Sequence, residues 1–274
     1  MVALMFRLTG GAAIAAAAFA SSAYAQAPAQ TAPPPQVWEA DWVSPHCTIS
    51  TGDQQQAALA LWMLPGDPDP ELYFVGSPGI LPNGSSALTV TLLPGGRTFE
   101  PRVESGLSNA GRRVLKLIRL RDEFPAAFAA SSEIRLAGGG KTVTLPITGA
   151  DKAMAAVRQC VDSKLPEWGV DAKAFDALRK PPTDIEDASW ISYTDYPADA
   201  ADNNQMGTVI TRMSMDATGR VTACNVVVSS GTQSLDDATC RAALKRGQFH
   251  PAIGADGAPT AAQRIVSTIF RLSN

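Results

Sequence analysis

From Val37 to about Leu145 the chain is written in short apolar runs interrupted by Gly, Pro, Asn and Asp. "ALALWMLP", "ELYFVG", "ALTVTLLPGG", "RRVLKLIRL" and "EIRLAGGGKTVTLPI" are punctuated in a way that selects strands joined by tight turns over long helices. Spacings of about 8–15 residues between the runs point to an antiparallel sandwich or partial barrel. "EFPAAFAAS" is expected as a short helix among the strands. In "TGADKAMAAVRQCVDSKL" the spacing becomes that of a longer helix, with Met154, Val157 and Val161 on one stripe and Thr148 or Asp151 placed to cap it.

Residues 165–190, "LPEWGVDAKAFDALRKPPTDIEDASW", are polar, split by Pro181-Pro182, and read as a linker with one short helix at 171–179. The pattern beyond it is different. "YPADAADNNQ" reads as a short helix with Pro197 in its first turn, "GTVITRMSM" as a strand, "DATGR" as a turn with Gly219 at positive φ, and "VTACNVVVSSG" as the partner strand. "SLDDATCRAALKRGQ" then reads as a helix capped by Ser234 with Asp237 at the capping-box position, and "AAQRIVSTIFRL" as a final strand. Leu235, Ala238 and Ala242 of that helix would cover one face of the small sheet. The fold class is α+β: a mostly antiparallel β domain closed by a helix over 37–165, a linker over 166–190, and an α-β-β-α-β domain over 191–274. With 45% hydrophobic residues in 274, the chain has enough apolar material for two modest cores.

The segment "MVALMFRLTGGAAIAAAAFASSAYA", residues 1–25, reads as an export signal. It has one cation, Arg7, an Ala-rich stretch, and a small-x-small site that places cleavage between Ala25 and Gln26. The alternative is an uncleaved anchor: Leu8 to Ala25 spans 18 residues, against the roughly 20 that cross a bilayer, and its Ala and Gly make a poor span. "QAPAQTAPPPQ", 26–36, is a Pro-rich tether reaching only about 34 Å at about 3.1 Å per residue. Export places four cysteines in an oxidising compartment, where two disulfides are expected, although four cysteines allow three connectivities. Position favours one staple per domain, Cys47–Cys160 and Cys224–Cys240, contributing about 4.7 and about 3 kcal/mol as upper figures in the chain-entropy treatment.

Chemistry on small molecules finds little support. A net charge of −3 with no basic run argues against nucleic acid, whose phosphates call for clustered Lys and Arg. "GGGKT", 138–142, has Arg135 where a phosphate loop needs its first Gly, and it reads as a hairpin turn. His46-Cys47 and His250 supply too few converging ligands for zinc, and no Ser sits in an elbow motif. The acid groups Asp67/Asp69, Asp184/Glu186/Asp187 and Asp236/Asp237 read as solvating, breaking or capping residues. No catalysis, cofactor or metal is expected. Trp38, Trp42, Trp62, Tyr73 and Phe74 are expected in core packing, the alternative being a face for a hydrophobic or glycan ligand.

The stretch from Tyr196 to Leu272 resembles the C-terminal domain of the TonB family of energy transducers. The landmarks are Tyr196-Pro197, Gly207 with the strand after it, the Asp216-to-Gly219 turn, Ser229-Ser230-Gly231, Leu235-Asp236, Phe249 with Pro251-Ala252, Gly257 with Pro259, and the closing strand. The resemblance implies capture of an extended segment of an outer-membrane transporter, added as a strand to the sheet edge. The implied partner-binding strand is Arg264, Ile265, Val266, Ser267, Thr268, Ile269, Phe270 and Arg271, with Ile265, Ser267, Ile269 and Arg271 pointing one way and Val266, Thr268, Phe270 and Leu272 the other. An energised transducer also needs a retained membrane helix, typically carrying a functional His, and a long periplasmic spacer. Here the first His is His46, the spacer is short, and a folded domain stands in its place.

The expectation is therefore a non-enzymatic envelope protein of the periplasm, binding an outer-membrane TonB-dependent receptor or another periplasmic partner. It meets the membrane itself only if residues 1–25 are retained, as an inner-membrane anchor. The alternative is a ligand-binding or scaffold protein whose β-rich domain holds the main ligand.

Overall fold

The computed structural model describes residues 37–42, 45–53, 56–84, 87–120, 123–185 and 189–272. The export segment, its Ala25–Gln26 site, the tether 26–36 and the acids Glu186 and Asp187 lie outside the described residues. The described residues pack as one compact unit.

Ten strands build the β-rich part: β1 (Glu39–Asp41), β2 (Cys47–Asp53), β3 (Ala57–Met63), β4 (Glu71–Gly76), β5 (Thr89–Leu93), β6 (Arg97–Phe99), β7 (Arg102–Leu107), β8 (Arg113–Ile118), β9 (Glu133–Gly138) and β10 (Lys141–Pro146). They form two antiparallel sheets, ordered β1-β2-β3-β4-β8-β7 and β10-β9-β5-β6. Successive side chains in a strand point to opposite faces, so pairing sets inward residues in rows. Ile49, Leu61, Leu72 and Leu117 line up across the first sheet, as do Leu59, Phe74 and Leu115. Val143, Leu136 and Val90 line up across the second. All belong to one buried cluster, the inside of a sandwich. Gly139 and Gly140, with φ of +55° and +74°, make the two-residue turn that closes β9 on β10, which only glycine adopts without strain.

Two helices close this core. In α1 (Phe124–Ala129) the buried Phe124 and Phe128 stand one turn apart. In α2 (Ala150–Glu167) the buried stripe is Ala150, Ala153, Val157 and Cys160, flanked by the partly buried Met154 and Val161. Cys160 is bonded to Cys47 on β2, with Cα atoms 5.8 Å apart. The cap differs from expectation. Neither Thr148 nor Asp151 caps α2; Gly149 at φ +83° stands at the N-cap, without a side-chain bond, and the Thr148 carbonyl before it accepts from the Trp38 indole at 3.0 Å.

The linker is structured more fully than its composition indicates. α2 runs on to Glu167, and α3 (Ala172–Asp176) is capped by the Asp171 carboxylate. β11 (Thr183–Asp184) pairs with β14 (Phe249–His250). Beyond a 3₁₀ turn (Tyr193–Asp195) come α4 (Ala198–Asp202), β12 (Gly207–Met215), β13 (Val221–Val228), α5 (Gln233–Arg246), and, after β14, β15 (Ala252–Ile253), β16 (Pro259–Thr260) and β17 (Ala262–Phe270). β15 pairs with β16, and the main sheet is ordered β13-β12-β17.

α5 covers one face of that sheet. Leu235 and Ala238 meet Val209 and Phe270, while Ala243 meets Met213, Met215, Val221 and Phe249. Cys224 on β13 and Cys240 on α5 are bonded, Cα to Cα 5.5 Å. The capping box expected at Ser234 and Asp237 does not form. The helix begins two residues earlier, with Thr232 at its N-cap, the Ser234 hydroxyl is buried without a partner, and Asp237 accepts from the Gln233 amide. Asp236 takes the organising role. Its carboxylate accepts from the Ser230 N–H at 3.0 Å and from both Ser229 and Ser230 hydroxyls, pinning the Ser229-Ser230-Gly231 loop to the helix start.

The opposite face of the sheet is also covered. Ile210 and Ile265 pack with Leu64 from the β3–β4 loop, Leu165 from the end of α2, and Val170. This small core joins the sandwich to the C-terminal sheet.

Candidate functional site

β17 is an edge strand of its sheet. It pairs with β12 without a break from Met215↔Ala262 to Gly207↔Phe270. The run of β-branched residues in "RIVSTIF" suits an extended, half-buried backbone. Arg264, Val266, Thr268 and Phe270 lie on the α5 face, and Ile265, Ser267 and Ile269 on the other. In an antiparallel ladder alternate residues turn both backbone groups to the same side. Ile265 donates its N–H away from β12, to the Gly66 carbonyl at 3.0 Å. The same period turns the backbone groups of Ser267 and Ile269 outward. Ser267 is half-buried and Ile269 is 48% exposed.

The N-terminal end of β17 is occupied by the β3–β4 loop. Gly66 sits at φ +79°, and a Cβ there would stand 2.7 Å from the Ile265 Cγ1, so only glycine brings the loop this close. Beside it Arg264, 2% exposed, meets three carboxylates. Its Nη2 donates to Asp67 Oδ1 at 2.9 Å and Asp184 Oδ2 at 3.1 Å, and lies 3.5 Å from Asp69 Oδ2. The guanidinium stacks over the Phe249 ring, 5.5 Å from its centre. Arg264 Nε and Nη1 are buried without hydrogen-bond partners. Burial pushes the Asp67 carboxyl up to about 6; the Arg264 charge opposes this and the Asp69 and Asp184 charges reinforce it. Burial alone would lower the Arg264 pKa, but the carboxylates together outweigh it and hold the pKa raised.

This cluster forms one wall of a cleft of about 450 Å³, whose other walls carry Glu71, Arg102, Lys116 and Arg119 from the outer face and rim of the first sheet. Lys116 is paired with Glu71 at 2.7 Å, and Glu71 accepts from the Tyr73 hydroxyl at 2.6 Å. Burial, then that hydrogen bond, pushes the Tyr73 hydroxyl pKa upward.

The aromatic residues divide. Phe74 is core, Trp38 packs edge-on to Phe128 at 6.0 Å, and Trp62 lies between His46 and Tyr73 at 5.3 and 4.7 Å on the outer face. Burial lowers the His46 pKa. Trp42 is 41% exposed, and His250 is at the surface.

Asp67, Asp69 and Asp184 were expected as solvating or breaking residues, and the structure corrects this: they converge on one buried guanidinium. Nothing local announces it, since Asp67 and Arg264 are 197 positions apart. The one available signal was an Arg in a strand whose helix side is otherwise Val266, Thr268 and Phe270, without another charge. Among the described residues no helix is long and apolar enough to cross a membrane.

Residues 192–272 match the family model of the Gram-negative bacterial TonB protein C-terminal. Among solved structures, the crystal structure of invasion associated protein b from Bartonella henselae is similar at 17% identity and a TM-score of 0.33, over 42% of this chain and 85% of that one. No curated protein matches the chain. The matched domain supports a TonB-like envelope protein in transport and suggests a periplasmic setting and contact with envelope proteins such as receptors.

Proposed function

We propose, from a chain whose residues 192–272 form a TonB C-terminal domain, that this is an exported envelope protein that takes an extended segment of an outer-membrane transporter, or of another periplasmic partner, as an added strand on β17. It acts by binding, without catalysis. The observation that carries the reading is the open part of β17. Ser267 and Ile269 turn their backbone groups away from β12, and Ile269 is 48% exposed. An added strand would draw affinity from these main-chain groups and selectivity from alternate side chains.

Ile269→Pro tests it. The Ile269 N–H does not serve the β12 ladder, so proline removes an edge donor while leaving the sheet's own bonds. Binding of a synthetic peptide copied from the periplasm-facing segment of an outer-membrane TonB-dependent receptor is expected to drop by about tenfold or more, as loss of a main-chain bond at an interface implies. Unchanged binding by the folded variant would rule this edge out.

A second reading draws on the cleft of about 450 Å³ at the seam with the sandwich. There Arg102 and Arg119 would face a ligand held mainly by the β-rich part. Loss of small-ligand binding in Arg102→Ala with peptide binding intact would favour it.

A further inference from the structure

We infer that the β3–β4 loop, residues 64–70, is a built-in cap on β17: it occupies the first part of the edge and must move aside before a partner segment pairs along the whole strand. The inference rests on the strand-addition reading above and concerns its regulation.

The Gly66 carbonyl makes with the Ile265 N–H, at 3.0 Å, the bond an added strand would make there. The loop is shaped for that approach. Gly66 at positive φ leaves no side chain in the way, Leu64 inserts beside Ile265 into the small joint core, and Asp67 and Asp69 reach around to Arg264, the neighbour of Ile265 on the same strand. Backbone, apolar and ionic contacts thus converge on two consecutive residues of β17. Beyond them Ser267 is only half-buried and Ile269 is open.

The seal is made at a cost. Three carboxylates share the Nη2 of one guanidinium, while its Nε and Nη1 are buried with no partner. A permanent seam would be better served by apolar packing, since partly satisfied buried charge is a poor source of stability. Violations of this kind concentrate at functional or strained sites. With the cap closed, the free part of β17 spans Ser267 to Phe270, about 13 Å at about 3.3 Å per residue; with it open, the nine residues of β17 offer about 30 Å. The cap therefore selects between a short and a long partner segment.

Two variants of the full chain test the cap through different atoms. Asp67→Ala/Asp69→Ala removes the oxygens that grip Arg264, and Gly66→Ala drives a methyl into the Ile265 side chain. Amide hydrogen exchange is read at Ile265, Ser267 and Ile269. In the wild type Ile265 is expected to be protected and the other two fast. In either variant Ile265 exchange should rise about tenfold or more while the amides of β3 and β12 keep their protection, the mark of a local opening. The receptor-segment peptide should then bind each variant about tenfold more tightly, which is the gain from removing a competing closed state. Ile265 protection unchanged in both variants, or lost only together with β12, would overturn the cap. Faster Ile265 exchange with equal peptide affinity would overturn its role as competitor. If neither wild type nor variants bind the peptide, strand addition falls, and the exchange data alone decide whether the loop opens.

Discussion

An aspartate in a solvated turn titrates near 4; Asp67, lowered into the seam between sandwich and C-terminal sheet, is pushed up to about 6. Its folded pKa lies above its unfolded one, so between about pH 4 and 6 the folded chain holds a proton that the unfolded chain has released. The contribution of Asp67 to stability is therefore most favourable below about pH 4 and declines as pH rises to about 6, amounting to about 3 kcal/mol over that window. Asp67→Asn lacks this dependence. Urea denaturation at pH 4 and pH 7 should show the wild type losing about 3 kcal/mol relative to the variant on going to pH 7. A carboxyl resonance for Asp67 with a midpoint near 4 would contradict it. At this scale the letters were informative only where backbone conformation dictates the residue. Gly219 at φ +82° and the Gly139-Gly140 turn could be read directly, whereas the fate of Asp67 depended on a residue far along the chain.

At the scale of elements, strands and helices with alternating or 3.6-residue apolar patterns were legible: β3, β4, β8, β12, β17 and α5 bury the side their pattern marks, while in α2 the buried stripe is turned toward Ala150, Ala153, Val157 and Cys160, leaving Met154 and Val161 at its margin. β7, "RVESGL", escaped because it lies at a sheet edge with nearly every side chain in solvent and so carries no apolar period. Caps were less legible than helices, since several Ser, Thr and Asp near α5 could have served and the loop bonds to Asp236 decided among them. The staple between Cys224 on β13 and Cys240 on α5 closes a short loop. Replacing both by Ser should cost about 3 kcal/mol or somewhat less in the chain-entropy treatment. Denaturant unfolding of the C-terminal sheet measures it, and an unchanged midpoint would show that the helix is held by packing alone.

For the whole molecule, the decisive feature is the core of Leu64, Leu165, Val170, Ile210 and Ile265. It covers the face of the C-terminal sheet that α5 leaves bare, using residues from the sandwich and the linker. A fragment of residues 191–274 loses Leu64, Leu165 and Val170 from that face and should bind a hydrophobic dye. A fragment beginning at Ser163 restores two of the three residues and should bind less. Burying such side chains is worth about 1.5–3 kcal/mol each, so the longer fragment is also expected to melt higher, which calorimetry reads. Equal dye binding and equal melting would mean that the sheet is self-sufficient.

The strand-rich sandwich, its closing helix, the α-β-β-α-β order and the resemblance to the TonB C-terminal domain could all be read from the chain itself, because each rests on local periodicity, turn chemistry or the order of short motifs. Four cysteines and their positions were enough to expect the two bridges that the structure contains. The seam was decided only by tertiary structure. That Gly66 meets Ile265, that three aspartates gather on Arg264, and that half of the β17 edge is closed while half stays open depend on contacts between segments 80 to almost two hundred residues apart. Such contacts leave no period in the sequence, since their geometry exists only once both sheets have formed.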